Sequence, residues 1–134
     1  MSVRTVMVDS SVLIDLLRRG LDPALELRQR ARTMDLATCG MVRLEVLRGI
    51  VRAKARDAME GFFNVMCCAS TDNRLWDEAA HLAWTLDRQG WTLPSTDLII
   101  AVCARRIGAA VLTLDSHFFD IPDLPVMSSL DELR

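Results

Sequence analysis

The chain has 134 residues, of which 51% are hydrophobic and 25% charged, and its formal net charge is -2. This composition predicts a single folded domain over residues 1–134 and excludes a disordered or low-complexity chain. The best candidate for a membrane span, residues 98–104, is too short and is followed by Arg105 and Arg106. No secretory signal is visible, so we expect a cytoplasmic protein.

Charge is unevenly distributed along the chain. Residues 1–56 contain eleven Lys and Arg against six Asp and Glu, a net charge of +5. Residues 57–134 contain five against twelve, a net charge of -7. Such asymmetry is compatible with a surface that attracts phosphate, but charge alone favours ordinary solvated helix faces.

The pattern of apolar residues alternates between strands and helices. Strands are predicted at residues 5–8, 36–39, 65–69 and 110–113, with a short fifth at 126–127. Helices are predicted at about 12–19, 24–32, 41–49, 53–63, 72–89 and 97–107. Because the strands are continuous apolar runs, they favour a parallel sheet covered on both faces. The predicted fold is a three-layer α/β/α domain with about five parallel strands.

Three acids fall at one edge of this predicted sheet. Asp9 follows the first strand, Asp115 follows the fourth, and Asp97 lies in the first turn of the helix before the fourth strand. In open α/β sheets, ligands bind beyond the carboxyl ends of the strands. Taken singly, Asp9 is explained as a helix N-cap, Asp97 as a favourable helix-dipole charge, and Asp115 as a turn residue.

Glu45 is a fourth candidate, in the middle of the helix at residues 41–49. Gly49 lies four positions later on the same face, where it leaves room for a close approach. A surface acid paired with Arg48 is the alternative interpretation.

Clustered carboxylates repel one another unless a cation neutralises them. Their hard oxygen atoms suit Mg²⁺ or Mn²⁺, which can activate water for attack on a phosphodiester. A bound cation also explains how an acidic protein binds a polyanion.

The cysteines and histidines add little chemistry of their own. Cys39, Cys67, Cys68 and Cys103 lack the spacing of a zinc site and are interpreted as small buried hydrophobic residues in a reducing compartment. His117 is interpreted as a turn residue beside Phe118 rather than a general base.

Four motifs together resemble PIN-domain proteins of the VapC toxin family. They are VDSSVLIDLL at residues 8–17, EVLRG at 45–49, PSTDLIIA at 94–101 and VLTLDSHF at 111–118. They occur in the family's order and extend over nearly the whole chain.

The resemblance implies a PIN fold and the toxin role in a type II toxin–antitoxin system. It implies Mg²⁺- or Mn²⁺-dependent cleavage of RNA and a cognate VapB-like antitoxin that silences the enzyme. Matched residue by residue, the catalytic acids are Asp9, Glu45, Asp97 and Asp115. Ser11 matches a hydroxyl that supports the first Asp, and an ordinary hydroxyl at a helix N-terminus is the equal alternative. Asp15, Asp120 and Asp123 match no essential acid and are interpreted as surface or loop charges.

Mechanism and assembly follow as expectations. Asp9, Asp97 and Asp115 are expected to bind the metal, with Glu45 binding through water or orienting the attacking water. The predicted products carry a 5′-phosphate and a 3′-hydroxyl, because His81 and His117 are the only histidines and do not suggest an acid–base pair. The resemblance, together with a hydrophobic content of 51% and three tryptophans (Trp76, Trp84, Trp91), leads us to expect a homodimer.

Three other classes of protein were weighed against the nuclease. A receiver-type phosphoacceptor domain needs a lysine after a late strand, and the only lysine is Lys54, in a predicted helix. A haloacid-dehalogenase-like phosphatase needs Asp-x-Asp, but Asp9 is followed by Ser10 and Ser11. A catalytically weak PIN-like RNA-binding module is the third, and the intact set of acids argues against it.

Overall fold

The computed structural model describes residues 4–133 as a five-stranded parallel sheet between two layers of helices. The strands are β1 (Thr5–Val8), β2 (Asp35–Cys39), β3 (Cys67–Ala69), β4 (Ala110–Leu112) and β5 (Val126–Met127). The helices are α1 (Ser10–Arg18), α2 (Pro23–Arg30), α3 (Gly40–Leu47), α4 (Ala53–Asn64), α5 (Asn73–Arg88) and α6 (Ser95–Arg106). Two short 3-10 helices follow β4 and β5, at Ser116–Asp120 and Leu130–Leu133. The predicted three-layer α/β/α fold is confirmed.

The strand order is β3-β2-β1-β4-β5, which places β1 at the centre of the sheet. Met7 of β1 is in register with Ala37 of β2 on one side and with Val111 of β4 on the other. The chain first winds outward from β1 to β3 and then returns to β4, so the order reverses beside β1. Right-handed crossovers put α1–α4 on one face and α5 and α6 on the other. Receiver domains have the order 2-1-3-4-5, so this topology excludes that alternative.

The core lies on both faces of the central strands. Val6, Met7 and Val8 are fully buried, as expected for a strand covered by helices on both sides. Helix α6 is buried throughout residues 97–104, because it lies between the sheet and α5. No helix described between residues 4 and 133, α6 included, is long and apolar enough to cross a membrane.

Most helix ends follow the chemistry expected from the sequence. The Asp72 side chain accepts a hydrogen bond from the Leu75 N–H at 2.9 Å and so caps α5. Gly90 and Gly108 follow α5 and α6 with φ angles of +86° and +66°, a conformation that suits glycine at a helix end.

Two expectations about β3 were wrong. The strand starts at Cys67 rather than Val65, because residues 65 and 66 turn out of α4 and leave Val65 68% exposed. Cys39 and Cys103 are buried as predicted, but Cys67 and Cys68 are exposed. The reason is that β3 is a short strand at the edge of the sheet, where helices cover it incompletely.

Candidate active site

Asp9 links the central strand to the first helix, but its side chain does not cap that helix. It occupies the N-cap position of α1, but its side chain accepts no capping hydrogen bond from a backbone N–H of the helix. Its Oδ2 instead accepts hydrogen bonds from Ser11 Oγ at 2.6 Å and from Thr113 Oγ1 at 2.8 Å. The carboxylate is therefore oriented toward the end of β4, and the interpretation of Asp9 as only an N-cap is wrong.

The two hydroxyls that bind Asp9 are themselves fixed by the backbone. The Leu114 N–H donates to Ser11 Oγ at 3.0 Å, and the Asp115 N–H donates to Thr113 Oγ1 at 2.9 Å. Each hydroxyl thus accepts one hydrogen bond and gives its own proton to Asp9. Ser11 lies where the sequence predicted a supporting residue. Thr113 was missed, although it directly follows β4 and lies two residues before Asp115 in the bend that carries that acid.

The second oxygen of Asp9 has a different environment. Asp9 is 3% exposed, and within residues 4–133 its Oδ1 is the one buried side-chain nitrogen or oxygen without a hydrogen-bond partner. Leaving a buried carboxylate oxygen unpaired is costly, so such an atom indicates a binding position for a positively charged or hydrogen-bonding ligand.

Asp97, Asp115 and His117 form a cluster beside Asp9. His117 Nδ1 lies 3.2 Å from Asp97 Oδ2 and 3.0 Å from Asp115 Oδ1. One oxygen or nitrogen atom from each of the three side chains lies within 4.8 Å of the others. His117 does form a turn, since its N–H donates to Asp115 Oδ1, but its ring also joins two acids, which the sequence did not reveal.

The pKa of Asp97 reports how closely these acids approach. Burial is the main cause that raises the pKa of Asp97, the hydrogen bond from His117 lowers it, and the negative charges of Asp115 and Asp9 raise it, so that the pKa is about 6. The same hydrogen bond with Asp97 is the main reason that the pKa of His117 is raised. Asp9, Asp97 and Asp115 are therefore near enough to repel one another in the absence of a cation.

Glu45 is joined to this group through α1. The Ser10 hydroxyl donates to Glu45 Oε1 at 3.0 Å, so Glu45 has Ser10 as its partner and not Arg48, the partner in the alternative interpretation of a surface acid. The half-buried Glu45 carboxylate thus lies against the residue that directly follows Asp9. A Cβ atom built on Gly49 would meet Val46 O at 3.7 Å, an ordinary contact, so the fold itself does not require glycine there.

The carboxylate oxygens of this site are suitable ligands for a divalent cation. The structure brings together Asp9, Asp97 and Asp115, and the partnerless Asp9 Oδ1 supplies a buried oxygen with no competing hydrogen bond. Carboxylate oxygens are the ligands that Mg²⁺ and Mn²⁺ prefer.

Comparison with known families identifies the family to which this fold belongs. The family model of the PIN domain matches residues 6–124, and the chain therefore belongs to the PIN-domain family. Sequence comparison with curated proteins finds no significant match.

Several solved structures share the fold. VapBC2 from Rickettsia felis, solved bound to a DNA fragment from its promoter, matches with a TM-score of 0.76 and 18% identity over 92% of this chain and 97% of that one. VapBC-1 from nontypeable Haemophilus influenzae matches with a TM-score of 0.76 and 20% identity over the same shares. VapC20 from Mycobacterium tuberculosis, described as a toxin that cleaves the sarcin–ricin loop, matches with a TM-score of 0.66 and 17% identity over 92% of this chain and 99% of that one. At these identities the similarity concerns the fold.

Proposed function

We propose that this chain is a single-domain, cytoplasmic PIN endoribonuclease that requires a divalent metal and acts as the toxin of a type II toxin–antitoxin system. The observation that carries the ribonuclease proposal is the buried Asp9 Oδ1, which has no partner and lies beside the acids Asp97 and Asp115. Membership of the PIN family and the shared fold with VapBC toxins support the toxin role.

Asp9, Asp97 and Asp115 are the proposed ligands of Mg²⁺ or Mn²⁺. A cation bound there neutralises the acids, lowers the pKa of water and stabilises negative charge on a reacting phosphate. Ser11 and Thr113 hold Asp9 by Oδ2, so that Oδ1 keeps its orientation. This fixed orientation means that little rearrangement is needed when RNA binds.

Glu45 is the proposed residue that orients the attacking water. Ser10 holds Glu45 Oε1, which leaves the carboxylate able to accept a proton from water. The water oxygen forms a bond to phosphorus as the bond from phosphorus to the 3′ oxygen breaks. The products carry a 5′-phosphate and a 3′-hydroxyl. Attack by the ribose 2′-hydroxyl is disfavoured because only His117 is at the site, while His81 lies exposed on α5.

RNA reaches this site over a basic rim. Arg18 and Arg52 line the same groove as Glu45, which has a volume of about 410 Å³. Guanidinium groups bind phosphate oxygens well, so these arginines are the proposed contacts to the RNA backbone beside the scissile bond.

The antitoxin is proposed to occupy this groove. Its floor is apolar, with Ile14, Leu17, Val46 and Ile50, and it leads to Glu45. An apolar antitoxin segment on this floor would exclude RNA, and an arginine from it would pair with the acids. The complexes among the structural relatives support a VapB-like partner.

A homodimer is proposed through the tryptophan face of the molecule. Trp76 and Trp84 on α5 are 51% and 58% exposed, and Trp91 is 45% exposed. Large apolar side chains exposed on α5 and directly after it are typical of a protein interface. Light scattering of the purified chain tests this proposal, and a monomer at every concentration would contradict it.

The nuclease proposal is tested by cleavage of labelled RNA with Mn²⁺, Mg²⁺ or EDTA. We expect cleavage only with a cation, and its loss in an Asp9→Asn variant that folds like the wild type. Mapping of the ends should give a 5′-phosphate and a 3′-hydroxyl. Full activity in EDTA or cyclic 2′,3′-phosphate ends would contradict the mechanism. RNA binding without cleavage would favour the alternative of a binding module.

A further inference from the structure

The imidazole of His117 lies between two of the proposed metal ligands. Its Nδ1 is the atom that approaches Asp97 Oδ2 at 3.2 Å and Asp115 Oδ1 at 3.0 Å. The main chain of His117 is held by the bond from its N–H to Asp115 Oδ1, and the next residue, Phe118, is fully buried. The ring is 45% exposed, and its place near the acids follows from this turn and from the two contacts of Nδ1.

These distances suit shared coordination as well as they suit hydrogen bonding. In an octahedral site with bonds of about 2.1 Å, adjacent ligand atoms are about 3.0 Å apart, which is the bond length multiplied by the square root of two. The separations of 3.0 and 3.2 Å between Nδ1 and the two oxygens match that edge. Both separations are therefore compatible with Nδ1 sharing a cation with Asp97 and Asp115, whose ligand atoms and Nδ1 all lie within 4.8 Å of one another.

We propose that His117 is a nitrogen ligand that makes this site prefer first-row transition-metal cations, such as Co²⁺ and Mn²⁺, over Mg²⁺. The inference rests on the proposed metal-dependent function, and it specifies the cation. Mg²⁺ binds oxygen and gains little from an imidazole, whereas affinity for nitrogen-containing sites rises from Mn²⁺ to Co²⁺. To bind, Nδ1 must present its lone pair. The neutral ring therefore carries its one proton on Nε2, and a protonated ring must first release the proton on Nδ1.

A different role for the ring makes the opposite prediction. If His117 serves only as a positive charge that neutralises Asp97 and Asp115, it competes with every cation for the same oxygens. Removing the ring would then strengthen the binding of Mn²⁺ and Mg²⁺ alike. The sign of the change in affinity therefore separates a ligand from a competitor.

The experiment measures binding of Mn²⁺, Co²⁺ and Mg²⁺ to the full chain by calorimetry, without RNA. We expect wild type to bind Co²⁺ more tightly than Mn²⁺, and Mn²⁺ more tightly than Mg²⁺. His117→Ala should weaken Mn²⁺ and Co²⁺ binding by about 10- to 100-fold, a range typical for the loss of a supporting group at a metal site. Mg²⁺ binding should change little, so the variant should lose the preference for Co²⁺ and Mn²⁺ over Mg²⁺. The matched control is His81→Ala, which removes the other histidine, exposed on α5, and should behave like wild type.

A spectroscopic measurement on the unmodified protein supplies an independent test. Pulsed electron paramagnetic resonance of the Mn²⁺-loaded wild type should show coupling to one imidazole ¹⁴N nucleus, and His117→Ala should lack it. Absence of this coupling in wild type, or tighter Mn²⁺ binding by His117→Ala, would overturn the assignment.

The design also separates this inference from the function on which it rests. If Asp9→Asn abolishes cation binding and His117→Ala leaves it unchanged, only the assignment of His117 is wrong. If wild type binds none of the three cations, the proposed metal site is wrong and the inference falls with it.

Discussion

The two edges of the parallel sheet carry charged residues in contrasting arrangements. At the carboxyl edge, Asp9, Asp97 and Asp115 lie close together, and hydroxyls of Ser11 and Thr113 hold the first of them. At the amino edge, a cavity of about 590 Å³ opens beside the starts of β1, β2 and β3. Both edges are polar, but only the first concentrates charges of one sign.

The charges at the amino edge are of both signs. Arg28, Arg32 and Asp35 line its cavity, and the Arg28 guanidinium carbon lies 5.5 Å from the centre of the Phe62 ring. Such an arrangement needs no ligand to be stable. The larger cavity is thus not where the proposed chemistry lies. Repulsion between fixed carboxylates indicates a cation site better than volume does.

Matched replacements of aspartate at the two edges should give the largest difference, which is a difference in the rate of RNA cleavage. Asp9→Asn should lower RNA cleavage by more than about 100-fold, because even supporting groups of metal sites contribute 10- to 100-fold. Asp35→Asn, at the exposed start of β2, should leave cleavage unchanged. Initial rates with labelled RNA and saturating Mn²⁺ measure both. Equal losses in the two variants would mean that the carboxyl edge is not the active site.

Matched replacements of threonine should give a smaller difference. Thr113→Val removes the hydroxyl that donates to Asp9 and should weaken Mn²⁺ binding by about 10- to 100-fold. Thr5→Val makes the same change beside the amino-edge cavity and should leave binding unaffected. Calorimetric titration measures the affinities, and circular dichroism confirms that both variants fold. Unchanged binding by Thr113→Val would show that the hydroxyl does not position Asp9.

Repulsion at the carboxyl edge should also appear in the stability of the metal-free protein. The pKa of Asp97 is raised from 3.8 to about 6 on folding. Protonation of Asp97 therefore stabilises the folded protein relative to high pH, and this stabilisation is present in full below pH 3.8 and is lost as pH rises through 6. Asp97→Asn should therefore be more stable than wild type by about 1 kcal/mol at pH 8 in EDTA, and this advantage should disappear near pH 4.

Urea denaturation at the two pH values measures this difference. Asp35→Asn serves as the control and should show no comparable dependence on pH. An advantage of Asp97→Asn that is the same at both pH values would contradict the electrostatic explanation.

The smallest effect is expected from Arg28 at the amino edge. Arg28→Met keeps a long side chain over Phe62 but removes the cation, so the free energy of unfolding should fall by about 0.5 kcal/mol. RNA cleavage should not change. Urea denaturation and the cleavage assay measure the two quantities, and a clear loss of cleavage would show that this edge takes part in function.

The fold and three of the acids could be predicted because their signals are local. Continuous apolar strands ending at Asp9 and Asp115 indicate a parallel sheet with both acids at one edge, and the structure has this arrangement. The predicted start of β3 was wrong. Residues 65–69 form an apolar run typical of a strand, but only three of them pair with β2. The exposure of Cys67 and Cys68 depends on the position of β3 at the edge, which no local pattern specifies.

The contacts that shape the site were harder to predict. The bond from Thr113 to Asp9 joins residues 104 positions apart, and the contact of His117 with Asp97 joins residues 20 apart. Such pairs depend on strand register and on the path of the loop after β4. The sequence marks which side chains are suited to the chemistry, but not which hydroxyl or ring approaches which oxygen.

The position of β1 in the centre of the sheet has a consequence for the synthesis of the protein. β1 leaves the ribosome before its neighbour β4, which follows about a hundred residues later. At about 5–20 residues per second, the nascent chain spends several seconds with Asp9 present and Thr113, Asp115 and His117 still absent. The acids therefore cannot assemble while β4 is inside the exit tunnel. The proposed active site therefore cannot form on the nascent chain until β4 has emerged.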